Sequence, residues 1–338
     1  MTPRGIVKYL RAGEKRQISG WSAKAVSALA VLTSIYQVWQ CVFTSMQPLK
    51  HYSIHLTLIM MLAFLIYTPH VGKEKTKLSR PDIFLACAAV LAGGYYASQV
   101  GRYLLRWPLV DPLTTADIIA GSALALMVLE TTRRTMGKVL PVISLVFIGY
   151  SLCGHLLPGF LYHRRIVPLD VLDQLAFTIN GIFSSPIAVA STFVFLFVLF
   201  GSFFANSGAG DFFYKFSMAV AGRFPGGAAK VAIVASALFG TINGSPTANV
   251  VTTGSFTIPM MKRIGYPALF AGAVESVAST GGGMLPPIMG TAAFLMVEMA
   301  GIPYSTIALA ASLPGIVYYL ALGFMVHFRA KKEGLIGM

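Results

Sequence analysis

The chain has 338 residues, 56% of them hydrophobic and only 11% charged, with a formal net charge of +14 and a mean hydropathy of +0.71. That balance excludes an ordinary soluble domain and points to a helical protein that crosses a membrane many times. Nucleic acid is not implied by the positive charge, because Lys and Arg fall between apolar runs and gather in no single patch.

The first twenty residues, MTPRGIVKYLRAGEKRQISG, are basic and lack a cleavage-like end, so the apolar segment behind them is expected to be retained. Apolar runs near or above about 18 residues are candidate spans. Residues 21–43, 52–68, 83–100 and 118–131 supply four, and 139–155 a fifth. A polar, Pro-containing connection follows, LPGFLYHRRIVPLDVLDQ, then a sixth span at 187–204. In the next stretch Phe212, Phe213, Phe216, Met218 and Val220 are set against Asp211, Lys215 and Arg223. This fits an amphipathic helix at the membrane interface or a short connecting helix packed on protein.

Basic residues set the expected orientation. With the N-terminus in the cytoplasm, Arg4, Lys8, Arg11, Lys15 and Arg16 lie inside, as do Lys73, Lys75, Lys77, Arg80, Arg133, Arg134, Lys138, Lys215, Arg223 and Lys230. Lys50, Arg102, Arg106, Arg164 and Arg165 are left outside.

The run from Lys230 to Arg263 contains FGTINGSPTANVVTTG, polar and Gly-rich where lipid tolerates little free backbone. It reads as a re-entrant hairpin at about 229–261 with its tip at Asn243–Pro246. Limbs of about 13 residues reach only about 20 Å, short of a hydrocarbon core of about 30 Å. A hairpin also keeps Lys230, Lys262 and Arg263 on one side, and Arg329, Lys331 and Lys332 with them. Non-helical backbone at membrane depth must be buried in protein or line a wet cavity. Free carbonyls and amides at the tip can meet a cation or an anion, and Asn243, Ser245, Thr247, Asn249, Thr252 and Thr253 add side-chain groups.

A second interruption, ESVASTGGGMLPPIMGTAAF, breaks an expected helix over 266–300, because three glycines and two prolines separate its halves. A last span at 305–328 leads to a basic tail, 329–338. A hairpin beside a discontinuous helix is how secondary transporters build ion and substrate sites. The plainer alternative is two kinks that relieve helix packing.

These blocks, GGAAKVAIVASALFGTINGSPTANVVTTGSFTIPMMKRIGY and AGAVESVASTGGGMLPPIMGTAAFLM, resemble the first half of the large permease subunit of TRAP (tripartite ATP-independent periplasmic) transporters. The four spans within 21–132 resemble the small permease subunit fused in front. The resemblance implies an all-α integral membrane fold: a four-span N-terminal bundle, then the first inverted repeat of an elevator-type carrier over 138–328, with hairpin and discontinuous helix. It implies sodium-coupled uptake of an organic acid, typically a carboxylate, handed over by a periplasmic binding protein at the inner membrane of a bacterial or archaeal cell. No enzymatic step and no cofactor beyond Na+ is expected. Only one hairpin and one break are found, so a second polypeptide or a C-terminal repeat is expected to complete a truncated or split permease. A non-transporting scaffold or decayed fragment is the alternative.

Carried residue by residue, the resemblance places a sodium site on Gly240, Asn243, Gly244, Ser245, Thr247, Asn249, Thr280, Gly281 and Gly283, largely through carbonyls. Substrate contacts fall on Ser245, Pro246, Thr247, Pro286 and Pro287. The family's Ser-Gly-Ser tip reads Asn243-Gly244-Ser245 here, Pro246 replaces a small residue, and Asn249 stands where some members have Asp.

Glu275 lies within an apolar stretch and is read either as a structural hydrogen-bonding group or as an ion- or proton-coupling one. Glu298 is read as interfacial and His55 as a satisfied packing histidine, with Trp21, Trp39 and Trp107 in an aromatic belt. Cys41, Cys87 and Cys153 are read as packing residues. No phosphate-cradling Gly loop is present, so nucleotide hydrolysis is not expected.

Overall fold

A computed structural model describes residues 13–43, 46–69, 78–335 and 337, with no side-chain description for Ala205. Arg4, Lys8, Arg11, Lys73, Lys75 and Lys77, used above for orientation, lie outside the described residues. Among these residues the fold is helical, with one isolated bridge between Lys15 and Tyr67. Among the described residues, seven helices are long and apolar enough to cross a membrane. The chain divides into two compact units, up to Ser191 and from Thr192 onward.

The first unit holds α1 (Trp21–Phe43), α2 (Pro48–Ile66), α3 (Arg80–Leu105), α4 (Thr115–Met136), α5 (Val139–Cys153), α6 (Pro168–Ala176) and α7 (Ser185–Val189). α1 is built inside out: Thr33, Gln37 and Gln40 are buried while Val31, Leu32 and Ile35 are exposed, as suits a helix with apolar surroundings outside and polar groups within. α2 lies deepest, with Met60 and Phe64 almost fully buried. Tyr96, Tyr103, Phe177 and Phe183 stack beside them. α4 starts with a capping box in which the Thr114 side chain accepts from the Asp117 amide and the Asp117 carboxylate accepts from the Thr114 amide.

Buried charges in this unit are paired. Asp82 accepts from Arg16 and Arg134, and Asp117 from Arg102, Tyr95 and Tyr103. Arg106 clamps Asp173. His55 is a packing group as expected, buried with Nδ1 3.1 Å from Gln37 Oε1. Cys87 and Cys153 differ from expectation: both are exposed on their helices, so they fill no core space.

The connection after α5 is more ordered than its composition suggests. It contains α6, begun by Pro168 at its first turn, and two short 3-10 turns at Gly154–Leu156 and Gly159–Leu161. The span expected at 187–204 is also not a plain helix. α7 passes through a π-helical turn, Ala190–Val194, into α8 (Phe195–Asn206), and a π turn leaves carbonyls for outside donors. Within the first unit Ser191 O accepts from Gln37 Nε2 and lies 3.1 Å from His51 Nε2.

The second unit holds α8, α9 (Ala209–Ala221), α10 (Gly227–Asn243), α11 (Pro246–Arg263), α12 (Ala268–Gly282), α13 (Thr291–Ala300) and α14 (Tyr304–Lys332). α9 packs on protein through Ala209, Ser217 and Ala221, while Phe212, Phe216 and Val220 face outward. The packing of α10, α11 and α12 makes the core of this unit. Its center is lined with small residues, Ala228, Ala229, Ala232, Ala271 and Ala278, which let helix backbones approach closely.

Candidate functional site

α10 and α11 form an antiparallel hairpin. Ser236 and Thr253, equally far from the turn, face each other with their hydroxyls 3.1 Å apart. The limbs have 17 and 18 residues, longer than the 13 read from sequence, and at 1.5 Å per residue reach about 26 Å. The helices take in Asn243 and Pro246, placed in the tip from sequence, and the first limb begins before Lys230, at Gly227.

The turn is local chemistry. α10 ends on Gly244, whose φ of 60° favours glycine and whose amide donates to Gly240 O at 2.9 Å. Ser245 then caps α11, its hydroxyl accepting from Ala248 N at 3.4 Å, and Pro246 opens the helix. Asn243 Oδ1 accepts from Ser245 N at 2.8 Å, and the buried Asn243 Nδ2 has no hydrogen-bond partner.

The break sits against this turn. α12 ends at Gly282 and α13 begins at Thr291. Between them Ile288 N donates to Thr241 O at 2.9 Å, and Gly290 N to Gly283 O at 2.7 Å. The far side is fixed by Tyr304, whose hydroxyl donates to Pro287 O at 2.6 Å and accepts from Met289 N at 3.2 Å. Phe294 stacks on Tyr304 and on Phe197 of α8.

Close approach depends on glycine. A Cβ on Gly240 would lie 2.4 Å from Gly282 Cα, and one on Gly244 would lie 2.5 Å from Met289 O. Gly244 O itself is 3.3 Å from where a Gly290 Cβ would stand and 3.6 Å from that of Gly283. Four helix ends therefore converge: the carbonyl ends of α10 and α12, and the amide ends of α11 and α13. Carbonyl ends carry partial negative charge and amide ends partial positive charge.

Of the residues singled out from sequence, Asn243, Gly244, Ser245, Pro246 and Gly283 meet at this junction. Pro286 and Pro287 lie in the break, with the Pro287 carbonyl turned to Tyr304. Others point elsewhere. The Gly240 carbonyl is taken by Gly244 N, and Gly281 packs under Tyr318 and Tyr319 of α14. Thr247 is exposed on α11. Thr280 is exposed too, and its hydroxyl donates to Ser276 O of its own helix. Asn249 is fully buried and bonds Ser236 O at 2.8 Å, away from the turn.

Sequence reading missed the Met289 carbonyl, the Thr241–Ile288 bond and Gly282. The run Gly281–Gly283 carries the signal for Gly282, but which of three adjacent glycines faces the hairpin depends on helix phase. An apolar hollow of about 660 Å³ lies elsewhere in the unit, between α10 and α14, with Lys230 and His327 at one end. It does not touch the turn.

Glu275 of α12 is fully buried behind the junction. Its Oε1 accepts from Ser236 of α10 at 2.8 Å, from Thr253 of α11, and from Ser279 at 3.2 Å; its Oε2 accepts from Thr257 of α11. Ser236 as a partner is legible once the hairpin register is known, since it stands opposite Thr253.

Residues 123–338 match the family described as "Tripartite ATP-independent periplasmic transporter, DctM component". Over 187 residues the chain is 28% identical to the C4-dicarboxylate TRAP transporter large permease protein DctM of Rhodobacter capsulatus, covering 52% of this chain and 41% of that one. The isethionate TRAP transporter permease protein DctMQ of Oleidesulfovibrio alaskensis is 30% identical over 171 residues, 51% of this chain and 26% of that one. The sialic acid TRAP transporter large permease protein SiaM of Vibrio cholerae is 29% identical over 138 residues, 41% of this chain and 32% of that one. The aligned parts thus cover 26–41% of the length of these relatives.

Proposed function

We propose a function from this premise: the chain belongs to the DctM-component family of tripartite ATP-independent periplasmic transporters, and the assembly that includes it carries an organic acid across the membrane together with sodium. Membership makes it a multi-pass inner-membrane protein and a permease component. Relatives are named for C4-dicarboxylate and sialic acid, which supports an organic acid as cargo. Delivery by a periplasmic binding protein, completion of the carrier by further permease sequence, a cytoplasmic N-terminus and elevator-like movement belong to the same proposal, and no chemical conversion of the cargo is part of it.

One observation carries the reading: carbonyl ends and amide ends of four helices meet at Gly244, Gly283 and Gly290. Carbonyl oxygens of Gly244, Met289 and the α12 end offer a hard cation oxygen-only ligands. The start of α11, where Pro246 has no amide hydrogen and Thr247 N is the first donor, suits a carboxylate. Bringing cation and anion to one junction lowers the cost of taking either out of water, and that is coupling in its simplest physical form.

The test is uptake of labelled C4-dicarboxylate in cells expressing this chain with its neighbouring permease sequence and a periplasmic binding protein. Uptake that falls when choline replaces sodium supports the reading. Uptake indifferent to that exchange removes sodium coupling.

A further inference from the structure

Glu275 is not part of the junction just described, yet it joins three of the four helices that make it. Its carboxylate takes hydroxyls from α10 (Ser236), from α11 (Thr253 and Thr257) and from its own helix (Ser279). Among the described residues no Lys, Arg or His forms an ion pair with it.

Proton counting gives the cage two complete arrangements. An ionised carboxylate has about four acceptor positions, and four hydroxyls reach this one, three at Oε1 and one at Oε2. A carboxylic acid must donate once, so one hydroxyl has to become an acceptor and send its own hydrogen elsewhere. Both threonines have that second acceptor already in place: Thr257 Oγ1 is 2.9 Å from Thr253 O, and Thr253 Oγ1 is 2.8 Å from Asn249 O. Rotation of a hydroxyl therefore satisfies either state without moving a helix.

We propose that Glu275 and its hydroxyl cage are a proton-binding site. A proton from water forms an O–H bond on Oε2, Thr257 swings its hydrogen to Thr253 O, and the cage passes from one negative charge to none. Charged hydrogen bonds are stronger than neutral ones, so the ionised cage binds the hairpin to α12 more tightly than the protonated cage does. Full burial means that proton exchange needs these helices to part, which ties the proton to their movement.

Neighbouring polar and charged groups are engaged elsewhere. On α14, the Tyr319 hydroxyl donates to Ala278 O at 2.6 Å. Tyr318 donates to Val277 O, Lys230 of α10 is engaged with His327, and Arg329 pairs with Glu333. Lys262 and Arg263 end α11, and Lys331 and Lys332 end α14.

Infrared difference spectra of the purified chain in nanodiscs, titrated with pH in choline buffer, test this. The expected result is a protonated-carboxyl C=O band that grows on acidification and is missing from Glu275→Gln. Thr257→Val keeps Glu275 but removes a charged hydrogen bond from the ionised form and only a weaker neutral one from the acid, so the band should persist to higher pH, with proton affinity raised about tenfold. A band that does not change with pH, no band at all, or a Thr257→Val titration identical to the parent overturns the proposal. Should Glu275→Gln fail to fold, the Thr257→Val comparison still decides. Working without sodium separates this outcome from the fate of the junction: either can fail while the other stands.

Discussion

Replacing Gly240 with alanine tests whether backbone contact between hairpin and break organises the junction. The new Cβ would stand 2.4 Å from Gly282 Cα and 3.0 Å from Asn249 Nδ2. Carbon pairs rest at about 3.5–4.0 Å, so the two helices must part by about 1 Å or more. Overpacking of this kind costs about 1–3 kcal/mol, offset by about 0.5–1 kcal/mol because alanine is the better helix former. The net effect is a loss of up to about 2.5 kcal/mol concentrated where Gly240 and Gly282 meet. Gly272→Ala is the control, since its Cβ would meet nothing within 4 Å and only the helix-forming gain applies. Thermal unfolding in nanodiscs should place Gly240→Ala below the parent and Gly272→Ala at or above it. The sodium concentration for half-maximal uptake should rise in the first variant alone. Indistinguishable behaviour of the two variants would refute the close-contact argument.

Gly244→Ala forces an alanine to a φ of 60° and drives its Cβ to 2.5 Å from Met289 O; sodium-dependent uptake should be lost while the chain still inserts in the membrane, as fractionation would show. Arg134→Ala leaves the fully buried Asp82 with Arg16 and the Ser79 hydroxyl and frees Glu130 from one partner, so thermal unfolding should report a loss of about 3 kcal/mol. His163 follows α5, and its raised pKa has a plain cause: its ring nitrogens lie 2.7 Å from Arg164 O and 3.0 Å from Tyr150 O, so both hydrogens of the charged ring find carbonyls. Its folded value lies above the unfolded one, so the tether is fully present below the unfolded value and is lost as pH rises through the folded value. A histidine NMR titration should give a His163 midpoint above 6.5; a midpoint at or below that value contradicts the assignment.

Much of the fold was legible because lipid leaves few choices. Apolar runs gave the spans, with 21–43 matching α1 end to end, and Gly, Pro and Asn marked where helices stop at Asn243 and Gly282. Three things were not legible. The π turn at Ala190–Val194 reads ASTFV and holds no Gly or Pro to mark it. Helix phase decided that Gly282, and not Gly281, faces Gly240, and a sequence with apolar residues all round conceals phase. Asn249 reads as a site residue because it stands where some family members have Asp, yet one helical turn carries it to Ser236, beside the Glu275 cage. Glu275 itself was visible as an intramembrane carboxylate, but its hydroxyl partners come from three helices and required the hairpin register.

Equilibrium binding of radiolabelled sodium to the purified chain in nanodiscs tests the central claim most directly. Parent and Gly272→Ala should bind saturably, displaced by unlabelled sodium and not by choline, and Gly244→Ala should not bind. Equal binding by all three, or none by the parent, would contradict a sodium site at the junction of hairpin and break.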